Sequence, residues 1–182
     1  DLCQTRLPER MGIPPEEIQV LSPTRKGPTG TANLNRLLQA RLNPPAPEKK
    51  EKKWGDFSFR EGDRVMQIRN NYDILWKKTD GSQVGTGVFN GDIGVITQID
   101  LHAELMTVVF DDRQVEYDFD MLRELEPAYA MTVHKSQGSE YQAVVLAAWS
   151  CPPNLRTRSV LYTAITRARK LLIVVGREYI TQ

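Results

Sequence analysis

The hydrophobic period changes along the chain, and this change limits the folds that the sequence can adopt. Four short apolar runs have the composition of strands that are buried on both faces. They are IQVLS at 18–22, AYAMTV at 128–133, AVVLAA at 143–148 and LLIVV at 171–175. From Trp54 to about Asp120 apolar residues instead alternate with polar ones, which is typical of half-buried antiparallel strands. The sequence therefore predicts an α/β domain with a parallel sheet that is interrupted by a small β-barrel.

Two segments have the spacing of amphipathic helices. The first begins at Thr31, repeats leucine every three or four residues, and ends before the prolines at 44–45. The second covers 159–170 and places Leu161, Ile165 and Ala168 on one stripe. Between the runs at 128–133 and 143–148 there is room only for a tight loop or one helical turn.

These patterns predict the boundaries of the domains. The first part of the α/β domain is expected over residues 1–43 and its remainder over 123–182. The segment 44–53, PPAPEKKEKK, has three prolines followed by charged residues, which predicts a mobile linker. The barrel is expected over 54–122, because an inserted domain is tolerated where its two ends lie close together on the surface.

Inside the barrel segment two patterns differ. LMTVVFDDRQVEYDF at 105–119 predicts a hairpin that turns at Asp111-Asp112, because apolar and aromatic residues alternate on both sides of that polar pair. The stretch between Asn70 and Phe89 is polar and rich in glycine. We interpret that stretch as a long loop of the barrel.

The bulk composition excludes several classes of protein. With 182 residues, of which 40% are apolar and 26% charged, the chain suits one ordinary globular domain with a small insertion. No run approaches the roughly 18 apolar residues of a membrane span. Two cysteines and two histidines, all widely separated, predict no metal site. We expect a cytoplasmic protein without a membrane partner and, since no initiator Met is present, a piece of a longer chain.

Residues 132–140, TVHKSQGSE, are more polar than a buried core requires. They follow a predicted strand, and ligands of open α/β sheets bind at the carboxyl ends of strands. Gly138 permits close approach of a backbone, Lys135 and the hydroxyls suit phosphate oxygens, and Glu140 suits a sugar hydroxyl. The alternative is a polar turn whose side chains cap their own backbone, and physical grounds alone favour that alternative.

Residues 162–170, YTAITRARK, place three cations at the end of a predicted helix. Cations at that end stabilise a helix by about 0.5 kcal/mol and require no ligand. The functional alternative is an arginine aimed at a phosphoryl group that another domain holds. The spacing alone leaves both interpretations open.

Three segments resemble motifs of superfamily 1 helicases. TVHKSQGSE resembles motif V, LYTAITRARKLLIVVG resembles motif VI, and IQVLSPTRKGPTGTANLNRLLQ resembles the motif IV region of the RecD-like branch, the exodeoxyribonuclease V alpha-subunit family. They occur in the family's order, and the resemblance extends over residues 16–176. The barrel falls where RecD-like enzymes carry a small SH3-like insertion. The resemblance therefore implies an α/β fold: the second RecA-like motor domain, of the P-loop NTPase type, whose parallel-sheet structure is interrupted by an SH3-like β-barrel.

The resemblance also implies roles for single residues. Arg167 matches the motif VI arginine that reaches the γ-phosphate of ATP, and Arg25 is the candidate for the motif IV arginine, although Lys26 beside it leaves the register open. The residues expected to hold the nucleotide are Gln137, Gly138 and Glu140. Those expected to line the DNA track are Thr132, His134, Lys135 and Ser136. In the barrel, four side chains suit stacking and charge contacts with single-stranded DNA: Arg69, Asn71, Tyr72 and Trp76.

The chain lacks the GxxxxGK[ST] phosphate loop. The resemblance implies that ATP and Mg²⁺ are held mainly by the N-terminal RecA-like domain of the same parent chain, so that no ATPase is expected of this fragment alone. The whole protein is expected to be an ATP-dependent helicase that travels 5′ to 3′ on single-stranded DNA in DNA repair and recombination, with exonuclease-complex subunits as candidate partners. Two alternatives stay open: a non-enzymatic nucleic-acid or protein binding module, and the motor part of a conjugative relaxase.

Overall fold

The computed structural model describes residues 1–149 and 158–176 of the chain, which falls into two compact units. The first unit contains Asp1–Leu42 together with the chain from Tyr129 onward, and the second contains Asn43–Ala128. The second unit is therefore inserted into the first in sequence. It begins before residue 54 and ends after residue 122, the limits expected for the barrel.

The helices and strands follow one another along the chain in a mixed α/β order. The helices are α1 (Leu7–Met11), α2 (Thr31–Leu42) and α3 (Arg158–Arg167), with π-helical or 3₁₀ turns at Leu2–Arg6, Pro15–Glu17, Phe119–Glu124 and His134–Ser136. The strands are β1 (Ile18–Ser22), β2 (Glu51–Trp54), β3 (Phe57–Arg60), β4 (Arg64–Gln67), β5 (Asn71–Lys78), β6 (Val84–Val88), β7 (Ile93–Asp100), β8 (Leu105–Phe110), β9 (Arg113–Asp118), β10 (Leu125–Pro127), β11 (Ala130–Thr132), β12 (Tyr141–Ala147) and β13 (Ala168–Val175).

The sheet of the first unit is parallel throughout, in the order β11-β1-β12-β13. All five residues of β1 are buried, which confirms the two-sided strand predicted at 18–22. The N-terminal segment, residues 2–13, adds Cys3, Leu7 and Ile13 to the core that contains Ile18 of β1. No secondary structure was predicted from the sequence for that N-terminal segment.

The edge of this sheet at β11 is closed by a side chain. Asn35 of α2 is buried, and its Nδ2 donates to the carbonyl of Ala130 at 2.9 Å while its Oδ1 accepts from the Ala130 amide at 2.8 Å. An edge strand otherwise presents unpaired backbone groups. One asparagine of the helix therefore replaces the neighbouring strand at this residue.

The helix α3 ends earlier than the sequence predicts. It was expected to reach residue 170, but Arg167 is its last residue and β13 begins at Ala168 without an intervening loop. Ala168 pairs with Tyr141 of β12, so that pairing with the sheet outweighs the helical spacing of Ala168. Two of the three cations expected at the helix end are consequently strand residues, namely Arg169 and Lys170.

The second unit contains a seven-stranded antiparallel sheet in the order β10-β4-β7-β8-β9-β5-β6, while β2 and β3 pair with each other. In β9 the residues Val115 and Tyr117 are completely buried while their neighbours are exposed, as the alternating pattern predicts. The hairpin expected at 105–119 is confirmed, since Phe110 pairs with Arg113 across a two-residue turn. The core of the unit includes Phe59, Ile96, Ile99, Met106, Phe110 and Leu122.

The interpretation of residues 70–89 as a long loop is wrong. These residues form β5 and β6, which pair as a hairpin. Trp76 lies opposite Gly85, and a Cβ at Gly85 would lie only 2.3 Å from Cζ2 of the indole ring. The glycine that indicated a loop instead makes room for a tryptophan ring within a strand pair.

The prediction of a mobile linker over 44–53 is wrong for residues 51–53, which lie in β2. Glu51 accepts from Arg60 Nε at 2.7 Å, and Arg60 also donates to the carbonyl of Asn43 at 2.6 Å. The buried Asn43 side chain donates to Asp63 at 2.8 Å and accepts from Lys49 at 2.6 Å. Two of the charged residues that suggested a solvated tether, Lys49 and Glu51, are instead held by Asn43 and Arg60 at the start of the second unit.

Candidate functional site

The carboxyl ends of β1 and β11 lie side by side. Ser22 is in register with Thr132, and the amide of Val133 donates to the carbonyl of Ser22 at 3.1 Å. The loop that follows each strand therefore starts at the same edge of the sheet, which is where open α/β sheets bind ligands. These two loops contain the motif IV and motif V residues that the sequence singled out.

The loop after β1, residues 23–30, is held by its own backbone. The first amides of α2 are occupied, because Thr31 donates to the carbonyl of Thr24 at 3.0 Å and Ala32 donates to that of Arg25 at 3.2 Å. Gly30 packs so closely that a Cβ there would lie 2.4 Å from the carbonyl oxygen of Lys26. The helix start is thus not an amide cradle for an anion; the loop instead exposes the cationic residues Arg25 and Lys26.

The loop after β11 uses part of its polar content internally. Ser136 is completely buried and its hydroxyl donates to the carbonyl of Val133 at 2.7 Å. The amide of Lys135 donates to the hydroxyl of Thr132 at 3.4 Å. Ser136 and Thr132 thus bond to the backbone of their own loop, as the alternative of a self-capping polar turn predicts. Because Ser136 is buried, its side chain has no surface to contact a DNA phosphate, contrary to the expectation from the sequence.

Other residues of the same loop remain accessible. His134, Gln137, Gly138 and Glu140 are exposed, and Lys135 is half-buried. Gly138 has a φ of +86° and open space where a side chain would lie. This backbone conformation favours glycine and leaves the peptide open to close approach by a ligand.

Arg167 at the end of α3 is directed onto the loop after β11. Its guanidinium donates to the carbonyl of Ser139 at 3.0 Å and to the hydroxyl of Thr166 at 3.2 Å. Its Nε is buried and has no hydrogen-bond partner among the described residues. The motif VI arginine therefore contacts motif V directly and keeps one buried donor unused.

A second arginine contacts the next residue of that loop. Arg169 in β13 forms an ion pair with Glu140, with an Nε to Oε2 distance of 2.9 Å, and both side chains are more than half exposed. The sequence indicated Arg169 only as one of three cations at a helix end and Ser139 only as a hydroxyl that suits phosphate oxygens, and it did not pair either loop residue with an arginine. Nothing in the local pattern could have identified this pair, because the register of β12 with β13 brings these distant positions together.

The barrel residues predicted to meet DNA have different surroundings. Arg69 is exposed, and Tyr72 is 64% exposed. Tyr72 packs edge-to-face against the exposed Phe89, with ring centroids 5.6 Å apart, and its hydroxyl accepts from Asn70 at 3.3 Å. An accessible aromatic surface suits stacking of a nucleobase, and the exposed Arg69 lies three positions before Tyr72 in the sequence.

Asn71 instead faces the interior of the barrel. Its amide donates to Glu124 at 3.0 Å, and the same carboxylate oxygen accepts from the buried Gln67 at 2.9 Å. The hydroxyl of Tyr117 in turn donates to Gln67 at 2.8 Å. Burial, and then the nearby carboxylates of Glu124 and Asp92, raise the pKa of the Tyr117 phenol well above its usual range. This is a structural polar network, and Asn71 belongs to it.

No group of His, Cys, Asp and Glu that could bind a metal ion is found in residues 1–149 and 158–176. Within the same residues no helix is long and apolar enough to span a membrane.

Two family models match the chain in separate segments. Residues 34–110 match the ATP-dependent RecD-like DNA helicase SH3 domain, and residues 127–175 match the UvrD-like helicase C-terminal domain. The first segment includes most of the barrel, and the second includes the loop after β11, α3 and β13.

Similar proteins occur in several bacteria. The chain is 34% identical to the ATP-dependent RecD2 DNA helicase of Deinococcus radiodurans over 89% of its own length and 20% of that protein. It is 32% identical to the RecBCD enzyme subunit RecD of Mycolicibacterium smegmatis over 90% of its own length and 26% of that subunit. The chain thus spans about a fifth to a quarter of the length of these relatives.

Solved structures of Pif1 helicases share the fold. A Bacteroides Pif1 bound to single-stranded DNA superimposes with a TM-score of 0.53 at 16% identity, covering 86% of this chain and 40% of that one. The Pif1 helicase of Candida albicans gives a TM-score of 0.53 at 15% identity, covering 95% and 47%. The fold is therefore a RecA-like parallel-sheet domain that carries an SH3-like barrel. The two family matches and the relatives of Deinococcus radiodurans and Mycolicibacterium smegmatis establish that the chain belongs to the RecD-like superfamily 1 DNA helicases, of which it forms a C-terminal part.

Proposed function

We propose that this chain provides one side of an ATP site and part of a single-stranded DNA track in a longer 5′-to-3′ helicase. The observation that carries the proposal is the hydrogen bond from Arg167 to Ser139, which joins motif VI to motif V. A residue that senses the nucleotide and a loop that meets DNA are thereby in direct contact. Closing a second motor domain on ATP would shift this contact and the loop together.

Arg167 is the proposed arginine finger. Its buried Nε has no partner within the described residues, and such a donor is costly until it is satisfied. The Arg167 side chain as a whole is only partly buried, so it keeps surface where a γ-phosphate held with Mg²⁺ by an N-terminal motor domain would bind. The side chain would have to reorient before the buried Nε gains an acceptor. Arginine fingers accelerate phosphoryl transfer by about 10³ to 10⁵. The exposed Arg25 is proposed as a second cation for the phosphates.

The loop after β11 is proposed to face both ligands. The open backbone of Gly138 and the exposed side chains of Gln137 and Glu140 suit the nucleotide. Within residues 1–149 and 158–176, Glu140 is held by an exposed ion pair, which is worth about 0–1 kcal/mol and can be exchanged for a ribose hydroxyl at little cost. Thr132, His134 and Lys135 are proposed to contact the DNA backbone. Ser136 instead stabilises the loop through its hydrogen bond to the carbonyl of Val133.

In the barrel the DNA contact is proposed for Tyr72, with Phe89 behind it and Arg69 nearby in sequence. Trp76 is a weaker candidate than the sequence suggested, because its ring is half-buried against Gly85. Subunits of an exonuclease complex are proposed as further partners, since one relative is a RecBCD enzyme subunit.

The decisive experiment compares Arg167→Ala with Arg169→Ala in the full-length protein. The first should reduce DNA-stimulated ATP hydrolysis by about 10³ or more while binding of an oligo-dT strand is kept. The second breaks only an exposed ion pair and should leave hydrolysis nearly unchanged. If Arg167→Ala hydrolyses ATP at a near-normal rate, Arg167 is not the finger.

A further inference from the structure

An open groove of about 760 Å³ lies on the surface of the barrel unit. All residues that line it belong to Asn43–Ala128, and most come from the adjacent strands β5 and β9. Its apolar lining includes Leu75 and Val84, which are 65% and 62% exposed. Large apolar side chains exposed together in a concave surface are typical of a site that binds a partner.

The groove is also acidic. Asp73, Glu116 and Asp118 line it, whereas Lys77 is the single cation among its lining residues. None of the three carboxylates forms a salt bridge within the described part of the chain. Other carboxylates of the barrel do have partners, as Asp112 has in Lys78 at 2.9 Å and Asp92 has in Arg113 at 3.4 Å.

The sheet geometry explains how apolar and acidic groups share one surface. In β9 alternate residues are buried in the core, so Gln114, Glu116 and Asp118 point to the opposite face. The pairing of Lys77 with Gln114 places the outward residues of β5 on that same face. Leu75 is thereby flanked by carboxylates on the neighbouring strand.

This combination excludes some ligands and favours another. A nucleic-acid backbone would be repelled by three carboxylates, and no metal-binding group was found among the described residues. An extended polypeptide that alternates apolar residues with Lys or Arg would complement both properties, because the apolar side chains would cover Leu75 and Val84 while the cations meet the carboxylates. We propose that the groove is a docking site for a basic, apolar segment of a partner protein.

The proposal is independent of the proposed ATP site, since it requires neither nucleotide nor a second motor domain. It can be tested on this chain with a short fluorescein-labelled peptide in which arginine and leucine alternate. A second peptide has glutamate in place of arginine, and an oligo-dT strand probes nucleic acid. Fluorescence anisotropy should show saturable, salt-sensitive binding of the arginine peptide and no binding of the glutamate peptide.

Variants then locate the site. Glu116→Lys combined with Asp118→Lys should weaken binding about tenfold or more, because like charges at an interface are strongly unfavourable. Leu75→Ser should weaken it as well, whereas the matched control Asp56→Lys reverses an exposed charge in the turn between β2 and β3 and should change nothing. Equal affinity in all variants would overturn the proposal, as would oligo-dT binding that the same substitutions abolish.

Because a variant can lose binding by failing to fold, a second measurement uses the amide chemical shifts of the unsubstituted chain. Titration with the arginine peptide should shift signals of β5 and β9 around the groove. Shifts confined to other surfaces would place the peptide elsewhere and would also overturn the proposal.

Discussion

Asn35 and Ala130 form two hydrogen bonds that join the helix of the motif IV region to the strand before motif V. Both partners are buried, and they lie in separate stretches of the first unit. These two hydrogen bonds satisfy the backbone amide and carbonyl of Ala130, as a neighbouring strand would. They also fix the position from which Thr132 and the following loop begin.

Replacing Asn35 by Leu should therefore destabilise the first unit. The substitution keeps the size of the side chain but leaves the amide and the carbonyl of Ala130 buried without partners, at a cost of about 3 kcal/mol. Urea unfolding followed by circular dichroism measures the change. The exposed neighbour Arg36 provides the control, since Arg36→Ala should change the free energy of unfolding by less than about 0.5 kcal/mol. Equal effects of both substitutions would contradict the edge-closing role.

The motif IV loop offers a matched pair of glycines. Gly30→Ala introduces a Cβ only 2.4 Å from a backbone oxygen, so the loop must shift, and we expect a loss of about 2 kcal/mol. Gly27→Ala meets no atom within 4 Å, and its φ of +89° costs only about 1 kcal/mol. Thermal unfolding should rank Gly30→Ala as clearly less stable. The reverse order would show that the backbone conformation at Gly27, and not the close contact at Gly30, has the larger effect on stability.

The ion pair between Glu140 and Arg169 should matter for the nucleotide and not for stability. Because both side chains are more than half exposed, Glu140→Gln should change the free energy of unfolding by at most about 0.5 kcal/mol. If Glu140 binds ribose, the same change raises the KM for ATP in the full-length protein. Arg169→Ala breaks the identical pair from the other side and should leave that KM unchanged. An equal rise in both variants would assign the effect to the pair and not to the carboxylate.

The raised pKa of the Tyr117 phenol predicts how the free energy of unfolding of the barrel changes at alkaline pH. Its pKa is raised in the folded state above the value of about 10 for a free phenol, so the folded chain retains the proton that the unfolded chain releases. This contribution to stability is complete below pH of about 10 and is lost as the pH rises further. The free energy of unfolding should thus fall more steeply above that pH in the unsubstituted chain than in Tyr117→Phe. Identical slopes for the two proteins would refute a buried, neutral phenol.

The sequence predicts elements well where the pattern is set by local burial. The strand at 18–22 and the turn at Asp111-Asp112 match the structure, because a two-sided apolar run and a polar pair between alternating residues each have few other solutions. The hairpin of β5 and β6 was missed, since Gly85 is required by a tryptophan on the other strand. A single stretch of sequence does not contain that requirement.

The site was predictable to a similar degree. The polar loop at 132–140 and the arginines at 167–169 were found from residue type and resemblance, and the structure brings Arg167 onto that loop. The burial of Ser136 and the pairing of Glu140 with Arg169 were not predictable. Both depend on how the loop after β11 and strand β13 come together in space.

The absence of a loop between α3 and β13 has a mechanical consequence. Arg167 is the last helical residue and its neighbour Ala168 already belongs to the sheet, paired with Tyr141. A connecting loop would absorb small displacements of the helix, as hinge residues do. No such loop separates Arg167 from the sheet. A displacement of the Arg167 guanidinium by a bound anion would therefore move the backbone of β13 directly. Through the hydrogen bond to Ser139 it would also move the loop after β11.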